Sequence, residues 1–375
     1  MSAASVIQIH EDIREAQTLP GWVYSDPAIF ERSRRRVFAP SWQFVTDLAA
    51  VKVPGQVHPF THLEGVLDEP LLFARDRDDA LHCLSNVCTH RGTLVCEGAG
   101  VESVLRCRYH GRRFGLDGKF QFMPEFEQAV GFPSAADDLP RVPFGAWENF
   151  LFASLEPAAP LDDVLREMRA RVAWMPLRDA AYDASRSREY RVRANWALYC
   201  DNYLEGFHIP FVHAGLSEVI EYGSYRTELF KWGSLQVGIA NGGEDAFEVP
   251  PGAPDHGQRV AAYWFWIYPN TMFNFYPWGV SVNVVRPLAV DLTRVSFLSY
   301  VWDASRLASG AGAALDRVER EDEAIVESVQ RGTGARLYGR GRYSPTRERG
   351  VHHFHRLLCN FLGSDPIFRS LKHGV

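Results

Sequence analysis

The stretch CTHRGTLVCEGAGVESVLRCRYHG, residues 88–111, constrains this chain more than any other. It holds Cys88-x-His90 and, after sixteen intervening residues, Cys107-x-x-His110. A zinc finger pairs Cys with Cys and His with His across its spacings. Here each half supplies one thiolate and one imidazole. That suits a cluster of two unlike irons, one taking both Cys and the other both His, which is the ligation of a Rieske [2Fe–2S] centre. Gly92 and Gly111 follow the ligand pairs, where tight loops aim backbone N–H groups at sulfide, and Tyr109 is placed to hydrogen-bond a cluster or thiolate sulfur. A zinc site or accidental spacing is the plain alternative. Cys83 and Cys96 have no place in the pattern and read as buried free thiols.

Strand signals surround this stretch. LLFARDRDDALHCLSNV reads as two strands about an Asp-Asp turn, FGLDGKFQF as a hairpin turned at Asp117-Gly118, and NFLFASL as a closing strand. Short helices precede it in residues 1–40, and the Pro157–Pro160 run reads as a linker. Beyond the linker, Leu161, Val164, Leu165, Met168 and Val172 fall on one helical face. Strand-like SLQVGIA, YWFWIYP, GVSVNVV and TRVSFLSYVW follow, with helical segments between and after them. The class is therefore α+β: N-terminal helices (1–40), a β-rich domain (41–156) and a larger domain (161–375).

Six cysteines in 375 residues are too sparse for a disulfide scaffold, and the N-terminal stretch has no apolar export signal, so a reducing cytoplasm is expected. A net charge of −6 gives no electrostatic reason to expect nucleic acid or an anionic membrane as partner. No apolar run reaches membrane-spanning length.

A second constellation lies in NWALYCDNYLEGFHIPFVHAGL, residues 195–216. On one continuous helix Asp201, Glu205 and His208 share a face, while His213 points elsewhere unless Pro210 breaks the helix and redirects it. Two His and one carboxylate make a facial triad for Fe(II) with open positions for O2. In LDRVEREDEAIVESVQRG the apolar stripe is Leu315, Val318, Ile325, Val326 and Val329. Of its acids only Asp322 lies within that stripe; the others fall at its edge or on the solvated face. An acid there is costly unless paired or bound to metal, so Asp322 is the candidate third ligand, with a buried ion pair as the alternative.

Both constellations, in order and spacing, resemble the Rieske non-haem iron oxygenases, and the resemblance extends over nearly the whole chain. It implies a [2Fe–2S] domain plus a catalytic domain of helix-grip type, with an antiparallel sheet flanked by helices. It implies cluster ligands Cys88, His90, Cys107 and His110, iron ligands His208, His213 and Asp322, and Glu205 bridging His208 to His110 of a neighbouring subunit. Glu205, Asp201 and Asn202 are the expected catalytic residues. Orienting His208 by a hydrogen bond alone is the other role open to Glu205. Electrons would come from NAD(P)H through a separate flavin/iron–sulfur reductase or a ferredoxin, O2 would be the co-substrate, and the assembly would be a homotrimer. No GxGxxG marks a dinucleotide site in this chain. Two positions depart from the family pattern: Arg112 replaces the common Trp, which is expected to alter the surface that meets a redox partner, and Ala197 replaces the common Lys.

YWFWIYPNTMFNFYPWG carries nine aromatics in seventeen residues. Alternation on a strand puts Trp264, Trp266 and Tyr268 on one face, and with Tyr203 and Phe275 they are the expected substrate pocket. Aromatic faces attract quaternary ammonium, and IYPNTMFNFYPWG, HIPFVHAGL and GRYSP resemble the choline, carnitine and stachydrine oxygenases. Hydroxylation or N-dealkylation of a small amine or quaternary ammonium is expected. Ring hydroxylation or O-demethylation of an aromatic substrate is the runner-up, and a plain Rieske electron carrier is the alternative of another class. His352, His353 and His355 read as helix residues rather than a third metal site, and Cys200 as packing.

Overall fold

The computed structural model describes residues 7–363. Residues 1–6 and 364–375, the ends of the expected N-terminal and larger domains, lie outside the described residues. The chain forms two compact units, residues 39–157 and residues 1–38 with 158–375.

The smaller unit is built of short antiparallel strands. Gln56–His62, Glu69–Arg75 and Leu81–Ser85 form consecutive rungs of one sheet, and Arg113–Phe114 pairs with Phe120–Phe122. The second pair turns at Gly118, whose φ of +83° is open to glycine without strain. Val57, Leu72, Leu84, Leu105 and Phe114 pack into one core, and Cys88 and Cys107 belong to that same cluster. The two loops that carry the Cys/His pairs are thereby anchored at their cysteine ends.

The larger unit is organised on an eight-stranded antiparallel sheet. Its central run is a meander of Arg226–Phe230, Gly233–Ile239, Val260–Ile267, Thr271–Tyr276, Gly279–Ala289 and Leu292–Val301. Every residue of Val260–Ile267 and Thr271–Tyr276 is buried, so both faces of the sheet are covered here. Trp264 pairs with Asn274 and Tyr263 with Phe275, which fixes which side chains share a face. On one face Trp266 packs edge-on against Phe354 of the Arg349–Gly363 helix, with ring centroids 5.3 Å apart. On the other, Phe265 meets Phe275 at 5.9 Å.

The Leu161–Val172 helix buries Leu161, Val164, Leu165, Met168 and Val172, the face its spacing predicts. The Leu315–Thr333 helix departs from its expected stripe. Ile325 and Val329 are 39% and 41% exposed, while Glu319, expected at the edge or on the solvated face, is buried. A stripe read from apolar residues alone gives the helix face but not which end of it is covered.

Candidate metal centres and substrate cavity

In the smaller unit the two ligand loops are built alike. Gly92 N–H donates to Cys88 O and Gly111 N–H to Cys107 O, each at 3.0 Å. Both glycines sit at positive φ, +76° and +74°, a region that a side chain would strain. The two closures bring the paired residues together: His90 Nδ1 and His110 Nδ1 lie 3.2 Å apart. The Cys88 and Cys107 thiols adjoin, and burial with this neighbour raises the pKa of Cys88. All six cysteines are free. Two facing imidazole nitrogens beside two buried thiols form a soft, electron-rich donor set, which fits an iron–sulfur group taking two thiolates and two neutral His. His110 stacks on Tyr109 at 3.8 Å, and Tyr109 is 56% exposed, so this end of the loop pair reaches the surface.

Arg112 does not behave as its sequence position suggests. Only 2% of its surface is exposed. The guanidinium donates to Asp137 Oδ1 at 2.7 Å and lies 5.0–5.6 Å from the ring centres of Phe114, Phe120 and Phe132. It fills an interior aromatic slot instead of a docking surface, and it holds the Asp137 carboxyl below its ordinary pKa.

In the larger unit, Asn195 caps the helix Trp196–Tyr203 by accepting from Ala197 N–H, and the helix ends at Leu204. Asp201, Glu205 and His208 therefore do not share one helical face. Asp201 is directed elsewhere: its carboxylate accepts from Tyr24 and lies 2.8 Å from His355 Nε2, and it does not line the cavity. The expected catalytic place for Asp201 is corrected on that ground. Pro210 lies in the four-residue helix Ile209–Val212, and His213 breaks the helical path with φ −112° and ψ 76°. That break turns His213 back toward His208.

His208, His213 and Asp322 each offer an atom within 4.8 Å of the others. His213 Nε2 lies 3.0 Å and His208 Nε2 3.5 Å from the same Asp322 Oδ1. Each ring is held from behind by another carboxylate: His208 Nδ1 is 2.6 Å from Glu205, and His213 Nδ1 is 2.8 Å from Glu321. A carboxylate on Nδ1 fixes the tautomer with its Nε2 lone pair forward, the usual support of a metal-binding His. Asn202 donates to Asp322 Oδ1 at 2.6 Å. Two imidazoles and one carboxylate converging on a point fit a facial triad. Burial opposes charge on His213, but Asp322 and Glu321 outweigh it and raise its pKa.

The adjoining cavity is lined by Tyr203, Tyr225, Trp264, Tyr276 and Phe297 among others. Of the expected pocket residues, Tyr203 and Trp264 are present. Trp266, Tyr268 and Phe275 are not. Trp266 shares the face of Trp264 but lies beneath Phe354, Tyr268 packs on Phe361, and Phe275 points to the opposite face. Residues the sequence reading did not reach include Gln236, Asn274, Ser281 and Asn283. They are buried polar groups on strands, and that was their available signal: a polar residue where the pattern calls for an apolar one. Tyr203 OH donates to Asn274 Oδ1 at 2.6 Å, Gln236 Nε2 to Tyr203 O at 2.7 Å, and Trp264 Nε1 to Tyr276 OH at 3.1 Å. The cavity wall is thus fixed by its own hydrogen bonds. Glu319 also lines it.

His352, His353 and His355 each face a different partner: His10 O, Phe230 O and Asp201. Cys200 is buried, with Sγ 3.7 Å from Pro269 O.

The sequence matches two family models, the Rieske [2Fe-2S] domain over residues 41–140 and the ring hydroxylating alpha subunit (catalytic domain) over residues 178–364. It is 31% identical over 365 residues to choline monooxygenase of Arabidopsis thaliana, covering 92% of this chain and 83% of that protein. It is 29% identical over 362 residues to the carnitine monooxygenase oxygenase subunit of Escherichia coli K12, covering 92% and 94%. A crystal structure of a quaternary ammonium Rieske monooxygenase in complex with L-carnitine superposes with a TM-score of 0.76 at 24% identity, over 95% of this chain and 99% of that one. Naphthalene 1,2-dioxygenase from Rhodococcus shares the fold at 17% identity and a TM-score of 0.74, over 93% and 95%. The chain belongs to the Rieske non-haem iron oxygenases, as an oxygenase α subunit with a Rieske [2Fe–2S] cluster and a mononuclear iron.

Proposed function

We propose that this subunit oxidises a small amine or quaternary ammonium by hydroxylation or N-dealkylation. The observation that carries the reading is the cavity beside His208, His213 and Asp322, walled by Tyr203, Tyr225, Trp264 and Tyr276. Aromatic faces attract an ammonium by about 2 kcal/mol or more per desolvated contact. Gln236, Asn274 and Asn283 make the wall more polar than a hydrocarbon ring calls for. The relatives named for choline and carnitine support the same substrate class.

Residues 1–40, 41–156 and 161–375 serve as N-terminal helices, cluster domain and catalytic domain. Cys88, His90, Cys107 and His110 hold the cluster, and His208, His213 and Asp322 hold the iron. When bound, these groups supply one-electron transfer and O2 activation. The residues of the chain do the rest. Glu205 and Glu321 keep the two imidazoles in their ligating tautomer, Asn202 fixes the Asp322 oxygen, and Trp264 and Tyr276 place the substrate against the open side. Electrons reach the cluster from NAD(P)H through a separate reductase, in the cytoplasm. Glu205 then links His208 to His110 of a neighbouring copy in a homotrimer. The exposed Tyr109 beside His110 and the exposed Phe207 and Phe211 beside His208 support such a junction.

The test is single turnover with the cluster chemically reduced beforehand, following cluster oxidation and product together across a panel of amines and aromatics. One ammonium compound is expected to trigger fast oxidation and appear hydroxylated or dealkylated, and Asp322→Ala should abolish both. Cluster oxidation at one slow rate whatever is added, unchanged in Asp322→Ala, would favour a plain electron carrier.

A further inference from the structure

Glu319 is the unexplained group of the cavity. Its side chain is 8% exposed, lies on the Leu315–Thr333 helix three residues before Asp322, and lines the cavity with Trp264 and Tyr276. No hydrogen bond or ion pair to it is found among the described residues. Its acidic neighbours are otherwise engaged: Asp316 with Tyr190 and Arg320, and Glu321 with His213 and Arg317. Arg188 is the cation whose field reaches it, but that guanidinium donates to Ser185 O and Ser187 O. An acid nine-tenths buried without a partner is costly, and the cost is removed when a cation arrives.

The rest of the lining sharpens this. Among the described residues it contains no Lys and no Arg. Asp322, Glu205 and Glu321 are all engaged at the two imidazoles, which leaves Glu319 as the unpaired acid of the wall among the described residues. A positive group between Trp264, Tyr276 and Glu319 gains from ring faces and carboxylate together. A substrate carboxylate in the same cavity meets no Lys or Arg among the described residues, and it opposes the ionisation of Glu319 that a cation draws out.

We propose that Glu319 is a specificity-determining residue, selecting a cationic ammonium without a carboxylate over a zwitterionic one. The inference rests on the ammonium reading above and narrows it to one charge class. Burial, with the Asp316, Glu323 and Asp322 carboxylates, pushes Glu319 up to about 8 in the empty cavity. The acid is therefore held largely neutral until a cation enters and draws out its charge.

The experiment is anaerobic calorimetric titration of the full-length, cluster- and Fe(II)-loaded protein with choline, L-carnitine and the neutral isostere 3,3-dimethylbutan-1-ol. Wild type, Glu319→Gln and Glu319→Asp are compared, each checked for folding by circular dichroism. Wild type should bind choline at least tenfold more tightly than either other compound. Glu319→Gln should lower the choline-to-carnitine preference tenfold or more, and Glu319→Asp, which keeps the charge, should largely retain it. Tight choline binding with an unchanged preference in Glu319→Gln overturns the role of Glu319 and leaves the ammonium reading standing. L-Carnitine binding more tightly than choline in wild type does the same. Failure of wild type to bind any ammonium compound, including simple alkylammonium ions, overturns both.

Discussion

Asn202 Nδ2 and His213 Nε2 meet the same oxygen, Asp322 Oδ1, at 2.6 and 3.0 Å. The amide occupies one lone pair and so orients the carboxylate toward the two imidazoles. Asn202→Leu removes that donor while keeping the volume. Partners of this kind typically change metal affinity about 10–100-fold when lost. The variant should retain its cluster but lose mononuclear iron on dialysis, falling from about three irons per chain to about two. Iron and acid-labile sulfide analysis reads the difference directly.

Arg112 gives a prediction about stability instead of redox docking. Its guanidinium is enclosed by three phenylalanine rings and pairs with Asp137, which is held below its ordinary pKa by that contact. Arg112→Leu keeps apolar contact but leaves Asp137 Oδ1 without its charged partner, while Oδ2 keeps the Ser134 N–H and Oγ donors. Breaking one side of a buried pair costs about 3–5 kcal/mol, and Asp137, at 20% side-chain exposure, places the loss near the lower end. Thermal melts of the cluster-loaded protein should show the loss, and Arg112→Leu/Asp137→Asn, which removes the unpaired charge but keeps an acceptor for Ser134, should recover part of it.

The two tryptophans of one strand face should separate cleanly. Trp264 lines the cavity and Trp266 lies under Phe354. Trp264→Leu should weaken substrate binding about tenfold or more by removing an aromatic wall, at a stability cost smaller than that of Trp266→Ala because an apolar side chain remains in its buried site. Trp266→Ala should cost about 3–5 kcal/mol of stability and leave the affinity of the remaining folded protein nearly unchanged. Substrate titration and chemical denaturation of both variants check the contrast.

These contrasts show which parts of the molecule were legible in the sequence. The convergence of His208, His213 and Asp322 and the facing of His90 and His110 were, because ligand chemistry restricts residue type and spacing together. The Leu161–Val172 helix was legible through its apolar period alone. The cavity was not. Trp264 and Trp266 carry the same periodic signal, and what divides them is the Arg349–Gly363 helix, distant in sequence. Composition points Phe275 into the pocket, but its parity, opposite to Asn274 and Tyr276, excludes it. Asp201 shares a face with His208 only on a helix that runs past Tyr203, where this one ends. A stripe drawn through apolar residues leaves Glu319 at its edge or on the solvated face, and a buried acid does not announce itself that way.

Acid should destabilise the larger unit through His352 and His353. Burial is the largest cause holding both imidazoles below their ordinary pKa. Their Nε2 atoms sit 2.8 Å from the His10 and Phe230 carbonyls, so each neutral ring donates there and its other nitrogen is unprotonated. In the unfolded chain the same groups titrate near 6.5. Between that value and their lowered folded values the unfolded state binds more protons, so stability rises with pH across this window. It is fully present above the unfolded value of about 6.5 and falls as pH drops below that toward the lowered folded values. His353→Gln keeps a donor of similar reach to Phe230 O and does not titrate. Its stability relative to wild type should therefore improve steadily on acidification, in denaturant melts taken at pH 7.5, 6.5 and 5.5. A constant offset at all three values would mean that His353 titrates alike in both states.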